Sequence, residues 1–274
     1  MVASGNLTGT GNSNAEQVMI EMRGPTLILR FTNPPDGFIS NKGASGILRS
    51  LTDALRDKAV RAIVITGGQP GVFIRHAEVS QISRAAEALC DGRIQPSSFA
   101  EGPFPALGHL IENAEKPVIA AIDGACMGGG FELALACTMR VASPGVEMIG
   151  LPEIRLGIFP GAGGTQRLPR LLGWHRARLF MLLGTVVDAS QALKLGLVDE
   201  LAASALDRAV QLAETLAQRP EGAVAAILRL TRDMPGRRFE DEAIAFAELL
   251  RDDPHVRERL RRFVEQRERL HEIQ

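Results

Sequence analysis

Three consecutive glycines near the middle of the chain follow an apolar strand candidate and come just before a helix pattern. The strand candidate, Val118–Ile122, contains no polar side chain, and Gly128, Gly129 and Gly130 follow it closely. Glycine adopts backbone angles that other residues avoid, and its missing side chain lets another group approach the peptide N–H. This pattern predicts a helix that begins directly against a sheet.

Strand and helix patterns alternate over the first half of the chain. Strand candidates lie at Leu27–Phe31, Ala62–Thr66 and Val118–Ile122, and Arg140–Ala142 begins a fourth. Helical spacing over Gly46–Arg56 separates the first two strands. Such alternation predicts a mainly parallel, layered α/β fold.

Beyond about residue 160 the pattern is almost wholly helical. One short helix is predicted to open at the capping box Asp188–Gln191 and to end at Gly196. We therefore expect a disordered tail over residues 1–16, an α/β core over residues 17–200 and a helical region over residues 201–274.

Composition excludes several classes of protein. A net charge of −1 gives no support for nucleic acid or an anionic membrane surface as a partner. No apolar run reaches the ~18 residues of a membrane span, and the first residues lack the pattern of a signal peptide. The odd number of cysteines (Cys90, Cys126 and Cys137) argues against a disulfide framework, and none forms a CxxC pair for zinc. We expect a cytoplasmic protein without a metal.

The glycine triplet and two carboxylates form a candidate site. The first N–H groups of a helix have no partner within the helix and carry the positive end of its dipole. Glu132 lies in that first turn among apolar residues, where burial would raise its pKa. Glu153 follows in a second apolar setting. The alternatives are close strand–helix packing for the glycines and, for Glu153, a turn carboxylate paired with Arg155.

Two long motifs carry a family resemblance. KPVIAAIDGACMGGGFELALAC (Lys116–Cys137) and LPEIRLGIFPGAGGTQRLPRLLG (Leu151–Gly173) strongly resemble the enoyl-CoA hydratase/isomerase family, the crotonase superfamily. AIVITGG (Ala62–Gly68) and FVEQR (Phe263–Arg267) add to the likeness. The resemblance implies a crotonase-like spiral of ββα units and a C-terminal helical region that packs subunits into trimers, often dimers of trimers.

The resemblance also implies a substrate and a site. The substrate would be an acyl-CoA thioester, whose carbonyl oxygen lies in an oxyanion hole formed by the backbone N–H groups of Ala77 and Gly129. Glu132 would activate water for attack at C3, and Glu153 would deliver a proton to C2. Coenzyme A enters as part of the substrate, so no further cofactor is implied.

Four other residues are implied as substrate contacts: Phe73, His76, Gly128 and Arg267. The first oxyanion loop of the family has the pattern F-x-x-G-x-D, and here it reads FIRHAE from Phe73 to Glu78. His76 therefore replaces the usual glycine. Either its side chain points away from the substrate as a tolerated variant, or it contacts the substrate and changes the reaction.

The resemblance leaves the reaction open. Both glutamates favour hydration of a 2-enoyl-CoA, a step of fatty acid metabolism, over double-bond isomerisation, for which one base at Glu153 can suffice. An isomerase or another crotonase-type reaction of acyl-CoA is the alternative. A protein of a different class would bind acyl-CoA without turning it over.

Overall fold

Ten strands and nine α-helices make up the part of the chain that the structure describes. The computed structural model describes residues 17–232, apart from residues 96, 97 and 99. In chain order the elements are β1 (Gln17–Arg23), β2 (Thr26–Thr32), α1 (Asn41–Arg56), β3 (Ala62–Gly67), β4 (Val72–Ile74), α2 (Val79–Cys90), α3 (Pro103–Glu112), β5 (Val118–Ile122), β6 (Ala125–Met127), α4 (Gly129–Ala136), β7 (Met139–Ala142), β8 (Ile149–Gly150), a 3₁₀ helix (Glu153–Leu156), α5 (Gly164–Leu172), α6 (Trp174–Leu182), β9 (Val186–Val187), α7 (Ala189–Leu195), β10 (Glu200–Leu201), α8 (Ala205–Ala217) and α9 (Glu221–Leu230).

The larger sheet has six strands in the order β1-β2-β3-β5-β7-β10. Strand β1 pairs antiparallel with β2, and every other neighbouring pair is parallel. In the middle of the sheet, Ile63 of β3 is opposite Val118 of β5. Strands of a parallel sheet covered on both faces are apolar throughout, which explains why β5 contains no polar residue.

The smaller sheet has four strands in the order β4-β6-β8-β9, with β9 antiparallel to β8 and the others parallel. Consecutive strands alternate between the two sheets: β3, β5 and β7 of the larger sheet are each followed by a strand of the smaller sheet, namely β4, β6 and β8. A helix follows each pair, namely α2, α4 and the 3₁₀ helix. This repeat confirms the predicted spiral of ββα units.

Both faces of the larger sheet are buried. Successive side chains of a strand point to opposite faces. Leu29, Ile63 and Ile65 belong to the main core, which they share with α1, α3, α4 and the smaller sheet. Ile28 and Val64 belong to a second core on the other face, under α8.

Helix α8 lies in the region 201–274 that the sequence predicts to be helical, and it covers the larger sheet. Ala205, Ala209 and Ala213 of this helix are fully buried. The residues from 233 onward and the predicted tail lie outside the described residues, so the division into three regions stays a prediction. Among the helices that the structure describes, none is long and apolar enough to cross a membrane.

Local sequence patterns located most elements of the larger sheet. The candidates Leu27–Phe31 and Ala62–Thr66 lie inside β2 and β3, and Val118–Ile122 is β5. Helix α1 begins earlier than Gly46, because the hydroxyl of Ser40 accepts the N–H groups of the first turn.

The capping prediction for α7 is confirmed. Asp188 Oδ1 accepts the N–H of Gln191 at 2.7 Å, and the helix ends at Gly196, whose φ is +78°. A left-handed residue after the last turn is the usual place for glycine.

Candidate active site

Each glycine at the start of α4 meets a different neighbour. Gly128 has φ +49° and ψ −129°, a conformation that favours glycine. A Cβ on Gly130 would lie 2.0 Å from the carbonyl oxygen of Ile74, so only glycine lets α4 approach β4 this closely. A Cβ on Gly129 would lie 3.2 Å from the Cβ of Ala77 and 3.5 Å from its nitrogen. Close packing therefore explains Gly130, whereas Gly129 lies against the loop of Ala77.

Ala77 lies in a loop in which both of its neighbours, His76 and Glu78, form backbone hydrogen bonds with Ile39. The N–H of Ile39 donates to the carbonyl oxygen of His76, and the N–H of Glu78 donates to the carbonyl oxygen of Ile39, each at 2.9 Å. Within the described residues, the N–H groups of Ala77 and of Gly129 make no hydrogen bond. Two N–H donors without a protein partner thus lie close together, one of them at the positive end of the α4 dipole.

Glu132 is held by the backbone of the loop before α5. Its side chain is almost fully buried, and Oε1 accepts the N–H groups of Ala162 at 2.7 Å and of Gly164 at 2.8 Å. In the described part of the chain, Oε2 makes no hydrogen bond. Burial raises the pKa of Glu132, and the two N–H donors and the charge of Arg167 oppose that rise. One oxygen of Glu132 is thus fixed and the other is available to a ligand.

Glu153 is the first residue of the 3₁₀ helix, and no other residue that the structure describes binds its carboxyl group. Both oxygens are buried and unbonded among the described residues. The pKa of Glu153 is raised to about 7, mainly by burial and in addition by the nearby charge of Glu132. Arg155 forms no ion pair with Glu153 in the described structure, so that alternative is wrong. A Cβ on Gly128 would lie 3.3 Å from Glu153 Oε1, which places the carboxyl group at the start of α4.

The two carboxyl groups have opposite surroundings. Glu132 accepts two backbone N–H groups, which stabilise its charged form, whereas Glu153 accepts none from other residues, which favours its neutral form. Two carboxyl groups in such different surroundings can act as base and acid. With two unpartnered N–H donors beside them, they suit a reaction that builds negative charge on an oxygen and transfers protons.

An open cavity of about 610 Å³ adjoins the loop of Ala77, and Phe38, Lys42 and His76 help to line it. The ring of His76 stacks on Phe38, with centroids 4.4 Å apart, and its Nδ1 lies 2.8 Å from the carbonyl oxygen of Ala77. His76 thus lines a cavity beside the candidate oxyanion hole.

Two other predicted substrate contacts have different outcomes. The prediction that Phe73 contacts the substrate is wrong. Its side chain is 1% exposed and packs in the main core, because β4 is buried on that face. Arg267 lies outside the described residues. In the part of the chain that the structure describes, no group of three or more His, Cys, Asp or Glu side chains is placed to hold a metal ion.

Sequence reasoning missed three contributors to the site. Ala162 and Gly164 fix Glu132, and the only signal for them is the glycine-rich loop between the glutamates. Phe104, at the start of α3, packs beside Gly129, where a Cβ would lie 3.5 Å from its ring. No local pattern marks Phe104, because its position depends on how α3 packs against α4.

Comparisons with known proteins agree with this fold and site. A family model described as enoyl-CoA hydratase/isomerase matches residues 26–272. The solved structure of Pseudomonas aeruginosa DspI is 28% identical, with a TM-score of 0.80 over 95% of this chain and 97% of that one. The structure of the enoyl-CoA hydratase from Thermoplasma volcanium GSS1 is 29% identical, with a TM-score of 0.79 over 90% and 96% of the two chains.

Curated relatives extend beyond this chain. The fatty acid oxidation complex subunit alpha of Idiomarina loihiensis is 35% identical over 189 residues, which are 69% of this chain but only 26% of that protein. The ββα spiral and these likenesses define a protein of the crotonase fold. The chain belongs to the enoyl-CoA hydratase/isomerase family.

Proposed function

We propose that this protein is an enoyl-CoA hydratase of fatty acid metabolism. It adds water across the double bond of a 2-enoyl-CoA and forms a 3-hydroxyacyl-CoA. The observation that carries the proposal is that two buried carboxyl groups, Glu132 in the first turn of α4 and Glu153 beside Gly128, accompany the Gly129 N–H, which has no partner among the described residues. The family supports an acyl-CoA thioester as substrate.

The N–H groups of Ala77 and Gly129 would form the oxyanion hole. Attack at C3 moves the π electrons of the double bond toward the thioester oxygen, which becomes an enolate. Two N–H donors at fixed positions stabilise that charge, and the loss of one such donor typically costs on the order of 3 kcal/mol.

The two glutamates would divide the proton transfers. Glu132, fixed through Oε1, orients a water molecule with Oε2 and takes its proton as the oxygen bonds to C3. Glu153, whose pKa of about 7 keeps much of it protonated near neutral pH, donates its proton to C2 as the enolate collapses. Exchange with solvent then restores both groups.

The cavity beside Ala77 would hold part of coenzyme A. Lys42 at its wall supplies a positive charge for a phosphate, and the stacked rings of Phe38 and His76 offer an apolar surface. Gly128 would face the substrate beside Glu153, and Arg267 would contact the 3′-phosphate. No cofactor other than this coenzyme A portion of the substrate is required.

An isomerase is the second candidate, and one observation favours it. The Glu153 carboxyl group is unpartnered, with a pKa of about 7, so it could take a proton from one carbon and return it to another. A 3-enoyl-CoA that is converted to the 2-enoyl isomer faster than the 2-enoyl-CoA is hydrated would favour this reaction.

A homotrimer, or a dimer of trimers, is the proposed assembly. Large apolar side chains on and near the 3₁₀ helix and α6 support it: Phe159, Trp174 and Leu183 are each more than 70% exposed. Exposed apolar surface of this kind is typical of an interface. Light scattering after size exclusion would give the mass of the assembly. A cytoplasmic location is also proposed, with the unpaired Cys126 and Cys137 in support.

The test is loss of the ultraviolet absorbance of the conjugated thioester when crotonyl-CoA or a longer enoyl-CoA is added. Glu132→Gln and Glu153→Gln should each abolish this change, whereas Glu115→Gln, at an exposed position, should not. Absence of turnover across several chain lengths would contradict a hydratase. Tight binding of acyl-CoA in calorimetry without any turnover would instead support the non-catalytic alternative.

A further inference from the structure

Arg167, on α5, is a buried cation that takes no part in the proposed reaction. Its side chain is 10% exposed, and Nη2 donates to Oε2 of Glu112, on α3, at 3.0 Å. Nη1 donates to the carbonyl oxygen of Ala162 at 2.8 Å. Arg170 binds the other oxygen of Glu112. The guanidinium group therefore connects α3 to the loop before α5.

Two glycines leave the room that this guanidinium group occupies. A Cβ on Gly163, whose φ is +106°, would lie 2.0 Å from Nη1 of Arg167. A Cβ on Gly108, in α3, would lie 2.9 Å from Nη2. Since both glycines make space for the same planar group, the local structure is built around an arginine at this position.

The loop that Arg167 holds is the loop that fixes Glu132. Ala162 donates its N–H to Glu132 Oε1 and accepts a hydrogen bond from Arg167 through its carbonyl oxygen. Gly164, two residues further on, supplies the second N–H to the same oxygen. The position of Glu132 Oε1 therefore depends on the guanidinium group.

We propose that Arg167 is a positioning residue that holds Ala162 and Gly164 so that Glu132 presents its free oxygen to water. The proposal rests on the proposed hydratase function for its kinetic consequence. Its structural part, the dependence of Glu132 on Arg167, can be tested without turnover. The competing explanation is that Arg167 merely ties α3 to α5.

In a variant that keeps the charge at position 167, the pKa of Glu132 is a readout that a purely structural tie would not change, because the N–H groups of Gly164 and Ala162 also lower this pKa. The charge of Arg167 lowers the pKa of Glu132 against the effect of burial. The other titratable side chains on the elements packed against Glu132 and its helix are Glu153 and Arg155 on the 3₁₀ helix, His109 and Glu112 on α3, Arg170 on α5 and Cys126 on β6.

The experiment compares Arg167→Lys and Arg167→Met with the matched pair Arg140→Lys and Arg140→Met. Arg140 is also a buried arginine in an ion pair, with Asp199, and makes no contact with Glu132. Two quantities are measured in each full-length variant: kcat and KM with an enoyl-CoA, and the pKa of Glu132. The latter comes from carbon-13 NMR of labelled glutamate, assigned with Glu132→Gln.

Lysine keeps the charge but cannot contact Ala162 and Glu112 at once as the guanidinium fork does. Arg167→Lys should therefore raise the pKa of Glu132, because Ala162 and Gly164 no longer hold their N–H groups against Oε1, and should lower kcat about tenfold, with little change in KM. Arg167→Met removes the charge as well and should raise the pKa by about one unit and lower kcat about 100-fold. The Arg140 variants should change neither quantity.

An unchanged kcat in both Arg167 variants, together with an unchanged pKa of Glu132 in Arg167→Lys, would overturn the proposal and leave Arg167 as a tie between helices. If Arg167→Met does not fold, a kcat of Arg167→Lys equal to that of the unaltered protein is enough to overturn it. If the unaltered protein turns over no enoyl-CoA, the proposed function fails. In that case the pKa of Glu132 in Arg167→Lys still decides: a rise while the charge is kept supports the positioning role, and no change overturns it.

Discussion

Ala77 and Gly129 lie against each other, although one belongs to the loop after β4 and the other begins α4. A Cβ on Gly129 would come within 3.5 Å of the nitrogen of Ala77. Neither N–H has a partner among the described residues. Added bulk at Gly129 would therefore enter the space beside both donors.

The first prediction is that the two buried glycines of α4 have different roles, Gly129 in activity and Gly130 in stability. Gly129→Ala should lower kcat/KM at least about 100-fold, because its methyl group enters the space beside the oxyanion donors, while the melting temperature changes little. Gly130→Ala, the matched control, should instead lower the melting temperature sharply, since its Cβ would lie 2.0 Å from the carbonyl oxygen of Ile74. Equal melting temperatures for the two variants would contradict this assignment.

The second prediction concerns the pH profile of hydration. The proposed acid, Glu153, must be protonated, and its pKa is about 7, so kcat/KM should fall as the pH rises through that value. On the acid side the rate should fall as Glu132 becomes protonated. A rate that stays constant between about pH 6 and 9 would rule out Glu153 as the acid.

The third prediction links Glu153 to stability. Its pKa is raised in the folded protein, to about 7, from an ordinary value of 4.5. The penalty for burying its charge is thus absent below the ordinary value, grows as the pH rises between the two values and is complete above the folded value. Glu153→Gln should increase the free energy of unfolding at pH 8 by about 2 kcal/mol, a figure reduced for partial solvent exposure.

The check is denaturant unfolding of both proteins at two pH values. Near pH 4 the difference between the variant and the unaltered protein should be small, because the carboxyl group is mostly neutral in both states. A gain in stability that is the same at pH 4 and pH 8 would show that the charge of Glu153 is not its source.

The fourth prediction tests the cavity as the coenzyme A site. Lys42→Ala should raise KM for an enoyl-CoA about tenfold through the loss of one charged contact to a phosphate. The same variant should leave KM unchanged for the matching enoyl thioester of N-acetylcysteamine, which lacks phosphates. If KM rises equally for both substrates, Lys42 acts on the fold and not on the nucleotide.

The fifth prediction concerns His76. Replacement by glycine, the residue usual in the family, removes both the stacking on Phe38 and the contact with the carbonyl oxygen of Ala77. The loop should become looser, and kcat should fall about tenfold. His76→Asn keeps a short polar side chain near that oxygen and should recover part of the loss. A His76→Gly variant with unchanged kcat would show that the loop is held without the ring.

Patterns along the chain determined the elements whose signal is local. Strands β2, β3 and β5 are covered on both faces, so each appears as an apolar run. Helix α7 has recognisable capping residues at both ends, Asp188 at its start and Gly196 at its end. The smaller sheet gave no such signal, because β4, β6, β8 and β9 have only two or three residues each, too few to show a period.

The sequence alone identified three residues of the candidate site, because two motifs contain Gly129, Glu132 and Glu153. Tertiary structure decided what each group touches: Oε1 of Glu132 is bound by a distant loop, the carboxyl group of Glu153 has no partner among the described residues, and Phe73 lies in the core. These outcomes depend on how α3, α4, α5 and β4 pack. Packing brings together atoms that are far apart in the chain, and burial then fixes their charge states. No local sequence pattern could therefore have predicted these contacts or charge states.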